Sequence, residues 1–189
     1  PGEKDSAGNG GFSDLSWEQR YGSMGDEAEG AFEERTEGWA RYGFNRPPFS
    51  IETLPLFMRY TPDYVTVTTL IEVMGCGAKG LKLKQEKLSA LTMWDGQMPV
   101  WLWIWSTPKQ QYAFIPLKTI MKLIDKGEAT PGSFREGKAY YGFKPSLLLS
   151  LGFLCALWAL LLECLKRLWQ DDETESSPTY SDDSSTTQS

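Results

Sequence analysis

An apolar run near the C-terminal end constrains this chain more than any other feature of its sequence. Eighteen uncharged residues, PSLLLSLGFLCALWALLL, fill positions 145–162, and nine of them are leucine. As a helix the run is roughly 27 Å long, which matches a thin bilayer of the endoplasmic-reticulum type. Lys144 precedes the run and Lys166 and Arg167 follow it, where long basic side chains reach lipid headgroups. The sequence therefore predicts a membrane anchor.

We expect the anchor helix to extend over residues 145–169 and to cross the membrane once. The side chains expected to contact lipid are Leu147, Leu151, Leu154, Leu157 and Leu161. Three small residues share one helical face, which lets two membrane helices approach closely and predicts self-association: Gly152, Ala156 and Ala159. The alternative is a buried core helix, although a run without any polar face argues against a surface-packed one.

Charge divides the chain into two acidic ends and a basic middle. Residues 1–45 carry 4 basic and 10 acidic side chains, residues 46–145 carry 13 and 8, and residues 146–189 carry 2 and 7. We expect residues 1–30 to be disordered, because they are rich in glycine and acids. Four segments are predicted: a mostly disordered acidic region (1–45), a basic β-rich domain (46–142), the anchor (145–169) and a disordered acidic Ser/Thr-rich tail (170–189).

Strand patterns dominate the middle domain. Residues 64–71 are rich in β-branched side chains, and leucine alternates with lysine over 81–84. Tryptophan alternates with aliphatic residues over 100–105. Residues 88–94 and 110–115 are further strand candidates.

The fold class follows from these strands and one helix. Asp95-Gly96 lies between two apolar runs and predicts a β-hairpin. Residues 116–126 place apolar side chains on one helical face, and Gly127 suits the C-terminal cap. We therefore expect an α+β fold, with a small antiparallel β-sheet or partly open barrel and one closing helix.

Four lysines form one candidate binding site. Lys79, Lys82, Lys84 and Lys87 surround a predicted turn and strand. They suit contact with anionic lipid near a membrane, or with nucleic acid if aromatic rings lie alongside. An ordinary solvated surface is the alternative.

Three tryptophans form a second candidate site. Trp101, Trp103 and Trp105 project from one face of one strand, and the other face is also apolar. One interpretation is an aromatic surface that stacks on a ligand. We favour a strand buried in the core, because strands that are apolar on both faces are usually central.

The composition argues against an enzyme. The chain has no histidine, which removes the usual general base near neutral pH and most catalytic zinc sites. The three cysteines lack a metal-ligand spacing. Asp63, Glu72 and Asp95 are scattered, with no spacing that predicts a carboxylate pair. We expect no catalytic residue, no cofactor and no bound metal.

These features predict a membrane-anchored, non-enzymatic interaction or scaffold protein. Its expected partners are the lipid bilayer, a second copy through the anchor helix, and proteins that the sequence does not identify. The simplest topology is a tail-anchored protein in an endoplasmic-reticulum-type membrane, with the main domain in the cytosol.

Such a protein could be a viral accessory product that acts at host membranes, because ribosome skipping in some viral polyproteins leaves a first residue of proline, as here. Two alternative functions stay open. The first is a viral channel-former, although Ser146 and Ser150 are the only polar side chains in the run. The second is an RNA-binding membrane tether.

Overall fold

The computed structural model describes residues 17–44, 50, 53–155 and 157, with side chains from residue 23 onward. Within these residues the fold contains two β-sheets and five helices. In chain order the elements are α1 (Trp17–Arg35), β1 (Ala40–Arg41), α2 (Leu56–Arg59), β2 (Tyr64–Val65), β3 (Leu70–Cys76), β4 (Leu81–Lys84), α3 (Gln85–Asp95), β5 (Val100–Ser106), β6 (Gln111–Pro116), α4 (Leu117–Asp125), β7 (Thr130–Ser133), β8 (Ala139–Phe143) and α5 (145–155).

The two sheets differ in topology. The large sheet has the strand order β1-β2-β3-β5-β6, and the small sheet has the order β4-β8-β7. Strands β3 and β5 run parallel, with Leu70 opposite Val100 and Cys76 opposite Ser106, and the other pairs are antiparallel. The predicted α+β class is confirmed. The predicted antiparallel sheet with one closing helix is wrong, because the large sheet is mixed and the described residues contain five helices. The large sheet forms no closed barrel.

Helix α3 explains the parallel pair. The chain leaves β3 and returns to β5 through β4 and α3, a crossover that places the two strands in the same direction. Residues 88–94, predicted as a strand, belong to this helix. Leu88, Leu91 and Trp94 recur every three residues and pack in or against the core. The predicted hairpin at Asp95-Gly96 is also wrong, since Asp95 ends α3 and its Oδ1 accepts the Val100 N–H at 2.8 Å.

Residues 64–71 form a hairpin and not the single predicted strand. Thr66 N–H donates to the Thr69 carbonyl at 2.8 Å, and the hydroxyl oxygens of these two residues are 2.7 Å apart. The turn folds β2 back onto β3, with Tyr64 opposite Ile71. This hairpin brings residues on its two sides into contact that a straight strand would separate.

The remaining predicted elements of the middle domain are confirmed within one or two residues. They are the strands β4, β5 and β6 and the helix α4. Gly127 follows α4 with a φ of 74°, and its N–H donates to the Ile124 carbonyl at 2.9 Å. A glycine favours this left-handed C-terminal position because it has no Cβ.

Apolar cores lie on both faces of the large sheet. On one face, Phe32 of α1 packs with side chains of β2, β3 and β5. On the other face, the sheet packs against α3, α4, α5 and the inner side of the small sheet. Disorder was predicted for residues 1–30, and this prediction is wrong for residues 17–30, because they lie in α1.

Helix α1 is also held to the sheet by polar contacts. The carboxylate of Glu27 accepts hydrogen bonds from Trp105 Nε1 at 2.8 Å and from the hydroxyl of Thr107 at 3.0 Å. A third bond comes from the side-chain amide of Gln110, also at 3.0 Å. The helix is therefore an integral layer of the folded domain.

Candidate functional site

The outer side of the small sheet carries lysines and aromatic rings together. Lys82 and Lys84 lie on β4, Tyr140 lies on β8, and Phe134 follows β7. The register places Lys84 directly opposite Tyr140. We call these four residues the basic–aromatic face.

Strand alternation explains why these side chains share a face. Leu81 and Leu83 point the other way and are buried in the core, together with Phe143 of β8. Gly132 lies opposite Tyr140, and a Cβ at this position would come within 2.7 Å of the tyrosine ring. The glycine therefore leaves the space in which the Tyr140 ring lies across the sheet.

The two lysines lie over the aromatic rings. The Lys82 Nζ is 4.8 Å from the Tyr140 ring centroid and 5.6 Å from that of Phe134, and the Lys84 Nζ is also 5.6 Å from the Phe134 centroid. Among the residues that the structure describes, neither lysine forms an ion pair with a carboxylate. Their charges therefore remain available for an anionic ligand.

The other two lysines of the predicted site have different surroundings. Lys79 is exposed in the turn that precedes β4, where the Gly80 N–H donates to the Gly77 carbonyl at 3.0 Å. Lys87 lies on α3 and forms an ion pair with Glu72, so most of its side chain is buried. Lys82 and Lys84 therefore lie beside the aromatic rings, whereas Lys87 does not belong to the predicted surface group.

The partner of Lys87 is one of two neighbouring acidic residues, Glu72 and Asp63. Glu72 of β3 is only 1% exposed. Tyr64 and Ile71 are paired across the hairpin. Asp63 precedes Tyr64 and Glu72 follows Ile71, so the two acids lie at neighbouring positions. Asp63 is fixed by the Val73 N–H, which donates to its Oδ2 at 2.8 Å. The expectation that Asp63 and Glu72 are scattered is therefore wrong.

Burial controls the protonation of this cluster. It raises the pKa of Glu72 to about 8, with a further contribution from the charge of Asp63 and an opposing one from Lys87. Burial also raises the pKa of Asp63. For Lys87, burial acts to lower the pKa, but the two carboxyl groups together outweigh it and the pKa is raised. Because Glu72 is buried, we interpret its contact with Lys87 as structural, with a protonated carboxyl group below about pH 8 and an ion pair above it.

The tryptophans of β5 lie mainly in the core. Trp103 is 1% exposed and Trp105 is 2% exposed, and their rings stack at 5.8 Å. Trp101 is half-buried and stacks on Phe114 at 4.7 Å. This placement agrees with the interpretation of β5 as a strand in the middle of the fold.

The first part of the predicted anchor packs on the domain. Leu148 is 1% exposed, Leu147 and Leu151 contact the same core, and Gly152 lies against β6. A Cβ at Gly152 would come within 2.6 Å of the Ala113 Cα. In this arrangement Gly152 contacts a strand of its own domain, and its contact with a second helix stays a prediction.

The later part of the anchor is described only in part. Phe153, Leu154 and Leu157 are 71%, 57% and 45% exposed. No helix within the described residues is sufficiently long and apolar to span a bilayer. Ala156, Ala159 and Leu161 of the predicted site lie outside the described residues, as does the predicted tail.

Only part of these sites is predictable from the sequence. Phe134 and Tyr140 were not predicted as site residues, because only the pairing of β4 with β8 brings them beside the lysines. The proximity of Asp63 and Glu72 becomes predictable once Thr66–Thr69 is recognised as the turn of a hairpin. Comparisons with protein-family models, curated proteins and solved structures find no match for this chain.

Proposed function

We propose that this chain is a non-enzymatic, membrane-associated interaction protein. Its apolar run enters the membrane, and its basic–aromatic face contacts anionic lipid headgroups. The observation that carries the proposal is the continuity of these two parts: β8 supplies Tyr140, ends at Phe143, and is followed at position 145 by α5. The exposed Phe153 then lies on the same helix.

The chemistry of the face suits an anionic surface. A lysine close to such a membrane contributes about 1 kcal/mol of attraction, so Lys82 and Lys84 together contribute about 2 kcal/mol. Tyr140 adds a ring with a polar end, a type that is enriched at membrane interfaces. Neighbouring Lys79, Arg135 and Lys138 are further basic residues of the same part of the chain.

Membrane spanning places a demand on α5. Leu148 and Gly152 are part of the folded domain, so insertion of the whole run requires α5 to leave β6. Contact through the later residues alone requires no such change. We include both insertion of the whole run as a single-pass anchor and contact through its later residues, and insertion is the tighter form of attachment.

Vesicle flotation tests the role of the face. The anchor is first impaired by Leu157→Lys with Leu161→Lys, so that headgroup binding is measurable above insertion; we call this the run variant. We expect the run variant to float with vesicles of phosphatidylcholine and phosphatidylserine, and much less with phosphatidylcholine alone. Adding Lys82→Ala and Lys84→Ala should abolish the difference between the two vesicle types.

A matched control removes two other charges. Lys109 is exposed, and Lys118 is 72% exposed with only a weak contact to Asp95. We expect the run variant carrying Lys109→Ala and Lys118→Ala to keep its preference for phosphatidylserine. Equal loss in both double variants would show nonspecific charge attraction and would contradict the proposed role of the face.

A membrane tether for RNA is the second candidate, and the two rings favour it. Lysines beside Phe134 and Tyr140 on a sheet resemble the combination that binds single-stranded nucleic acid, in which bases stack on aromatic rings. Salt-sensitive binding of single-stranded RNA, lost on Lys82→Ala with Lys84→Ala and on Tyr140→Leu, would favour this function. The channel-forming alternative stays a prediction that the packing of Gly152 on β6 does not favour.

A further inference from the structure

The face of the large sheet that packs on α1 contains a cavity of about 260 Å³. Five aromatic side chains line it: Phe32, Trp39, Trp103, Tyr112 and Phe114. The Trp103 and Tyr112 rings stack at 5.0 Å, and the Phe32 ring meets Trp103 edge-on at 5.6 Å. Tyr112 is 51% exposed, so the cavity is accessible from solvent at this side.

The electrostatics of the cavity favour a cation. Of the described residues that line it, Glu37 is acidic and none is basic. Glu37 is exposed, and it follows the last residue of α1, Arg35, by two positions.

Two nearby cations already show this preference. The guanidinium carbon of Arg35 lies 4.9 Å from the Trp105 ring centroid, and that of Arg41 lies 5.1 Å from the centroid of Tyr64. Both rings belong to the same aromatic core as Trp103. Neither arginine lines the cavity, so no described residue places a cation on the rings inside the cavity.

We propose that this cavity binds a methylated ammonium cation, of the kind present in choline. The methyl groups of such a cation bury apolar surface against the rings, and its charge is attracted to the ring faces and to Glu37. A hydrated primary amine loses more water on entering the same site. The proposal is independent of the membrane function, because the cavity and the basic–aromatic face involve different sheets.

Titration of the full chain with choline chloride, at constant ionic strength, tests the proposal. The matched ligand is 3,3-dimethylbutan-1-ol, which has the same shape as choline and no charge. We expect saturable choline binding, measured by tryptophan fluorescence and calorimetry, with the neutral alcohol binding about tenfold more weakly. Absence of choline binding, or equal binding of the two ligands, overturns the proposal.

Two variants locate the site. Tyr112→Leu removes a ring at the exposed side, and Glu37→Gln removes the charge with little change of shape. Each should weaken choline binding several-fold while circular dichroism remains unchanged. The controls are Tyr42→Leu, at a 46% exposed ring outside the cavity, and Glu128→Gln, at an exposed acid outside it. If Glu37→Gln and Tyr112→Leu bind choline as the controls do, the cavity is not the site.

A competition experiment identifies the source of the cation. The run variant, which lacks an intact apolar anchor, is mixed with phosphatidylcholine vesicles and titrated with free choline, and the same variant carrying Glu37→Gln is the control. Choline-sensitive binding to these vesicles that the control lacks assigns the cavity to the lipid headgroup. Choline binding by a run variant that does not bind these vesicles assigns the cavity to a free cation. Both results support the proposed chemistry.

Discussion

Gly152 of α5 lies so close to Ala113 of β6 that an added Cβ would be 2.6 Å from the Ala113 Cα. This contact makes the beginning of the apolar run part of the folded domain. The neighbouring Leu148 supports the contact, because it is 1% exposed in the same core. The run therefore has two roles in this account, since its first residues pack on the sheet and its later residues are proposed to contact the membrane.

Gly152→Ala should destabilise the domain. The new methyl group meets backbone atoms of β6 and forces a shift, which costs about 1–3 kcal/mol in unfolding free energy. Urea denaturation of the full chain in mild detergent measures this cost. Gly30→Ala in α1 is the control, because a Cβ there meets nothing within 4 Å, and it should leave the chain equally stable or more stable. Equal effects of the two changes would contradict the close contact.

Lys87→Met should be strongly destabilising. It removes the cation beside the buried Glu72 and the nearby Asp63, at a cost of about 3 kcal/mol in unfolding free energy above about pH 8, where Glu72 is ionised in the fold. Adding Glu72→Gln should recover part of this loss, because the double variant no longer buries an unpaired carboxyl group at position 72. Purely additive effects in this double-mutant cycle would show that the two side chains do not interact.

Stability should fall as the pH rises from about 4.5 to about 8. The pKa of Glu72 is 4.5 in an unfolded chain and about 8 in the fold, so the folded state binds more protons in this range. The contribution to stability is therefore complete below the lower value and is lost as the pH passes the upper one. Asp63, whose pKa is also raised, acts in the same direction.

Glu72→Gln tests the origin of this pH dependence. The variant cannot titrate at position 72, so its unfolding free energy, measured by urea denaturation across the same pH range, should change less than that of the unmodified chain. An unchanged slope would assign the pH dependence to other groups.

Glu27→Ala should destabilise the contact between α1 and the large sheet. It removes the acceptor for Trp105 Nε1, which leaves a buried donor unpaired at a cost of about 1–3 kcal/mol. The control is Glu34→Ala on the same helix, whose side chain is 73% exposed and which should change stability by about 0.5 kcal/mol or less. If Glu27→Ala is as mild as the control, α1 is not an integral layer of the domain.

Local patterns predicted the strands and helices in which periodicity and burial agree. Leu81 to Lys84 alternates with period two, and its leucines are buried while Lys82 is exposed. In contrast, the predicted strand over residues 88–94 is wrong, because Leu88, Leu91 and Trp94 follow a helical spacing and lie in α3. This single error also reversed the direction of β5 relative to β3, because a helical crossover gives a parallel pair and a hairpin gives an antiparallel one.

The candidate sites depend on contacts between distant parts of the chain. Lys82 and Lys84 were predicted from sequence, but Phe134 and Tyr140 reach them only through the pairing of β4 with β8. The cavity combines α1 with β5 and β6, and residues 17–30 of α1 fall within the segment for which disorder is predicted. Composition does not reveal the first part of α1, because residues 17–30 are rich in glycine and acids and contribute few apolar side chains, such as Ala28, to the contact with the sheet.

Carbonate extraction of membranes from cells that express the full chain tests the central claim, attachment through the apolar run. The chain is compared with the run variant and with a control that carries Val67→Lys and Met93→Lys, at positions 94% and 57% exposed on the domain. We expect the unmodified chain and the control to remain in the membrane pellet while the run variant is released. Release of the unmodified chain together with the run variant would contradict membrane anchoring.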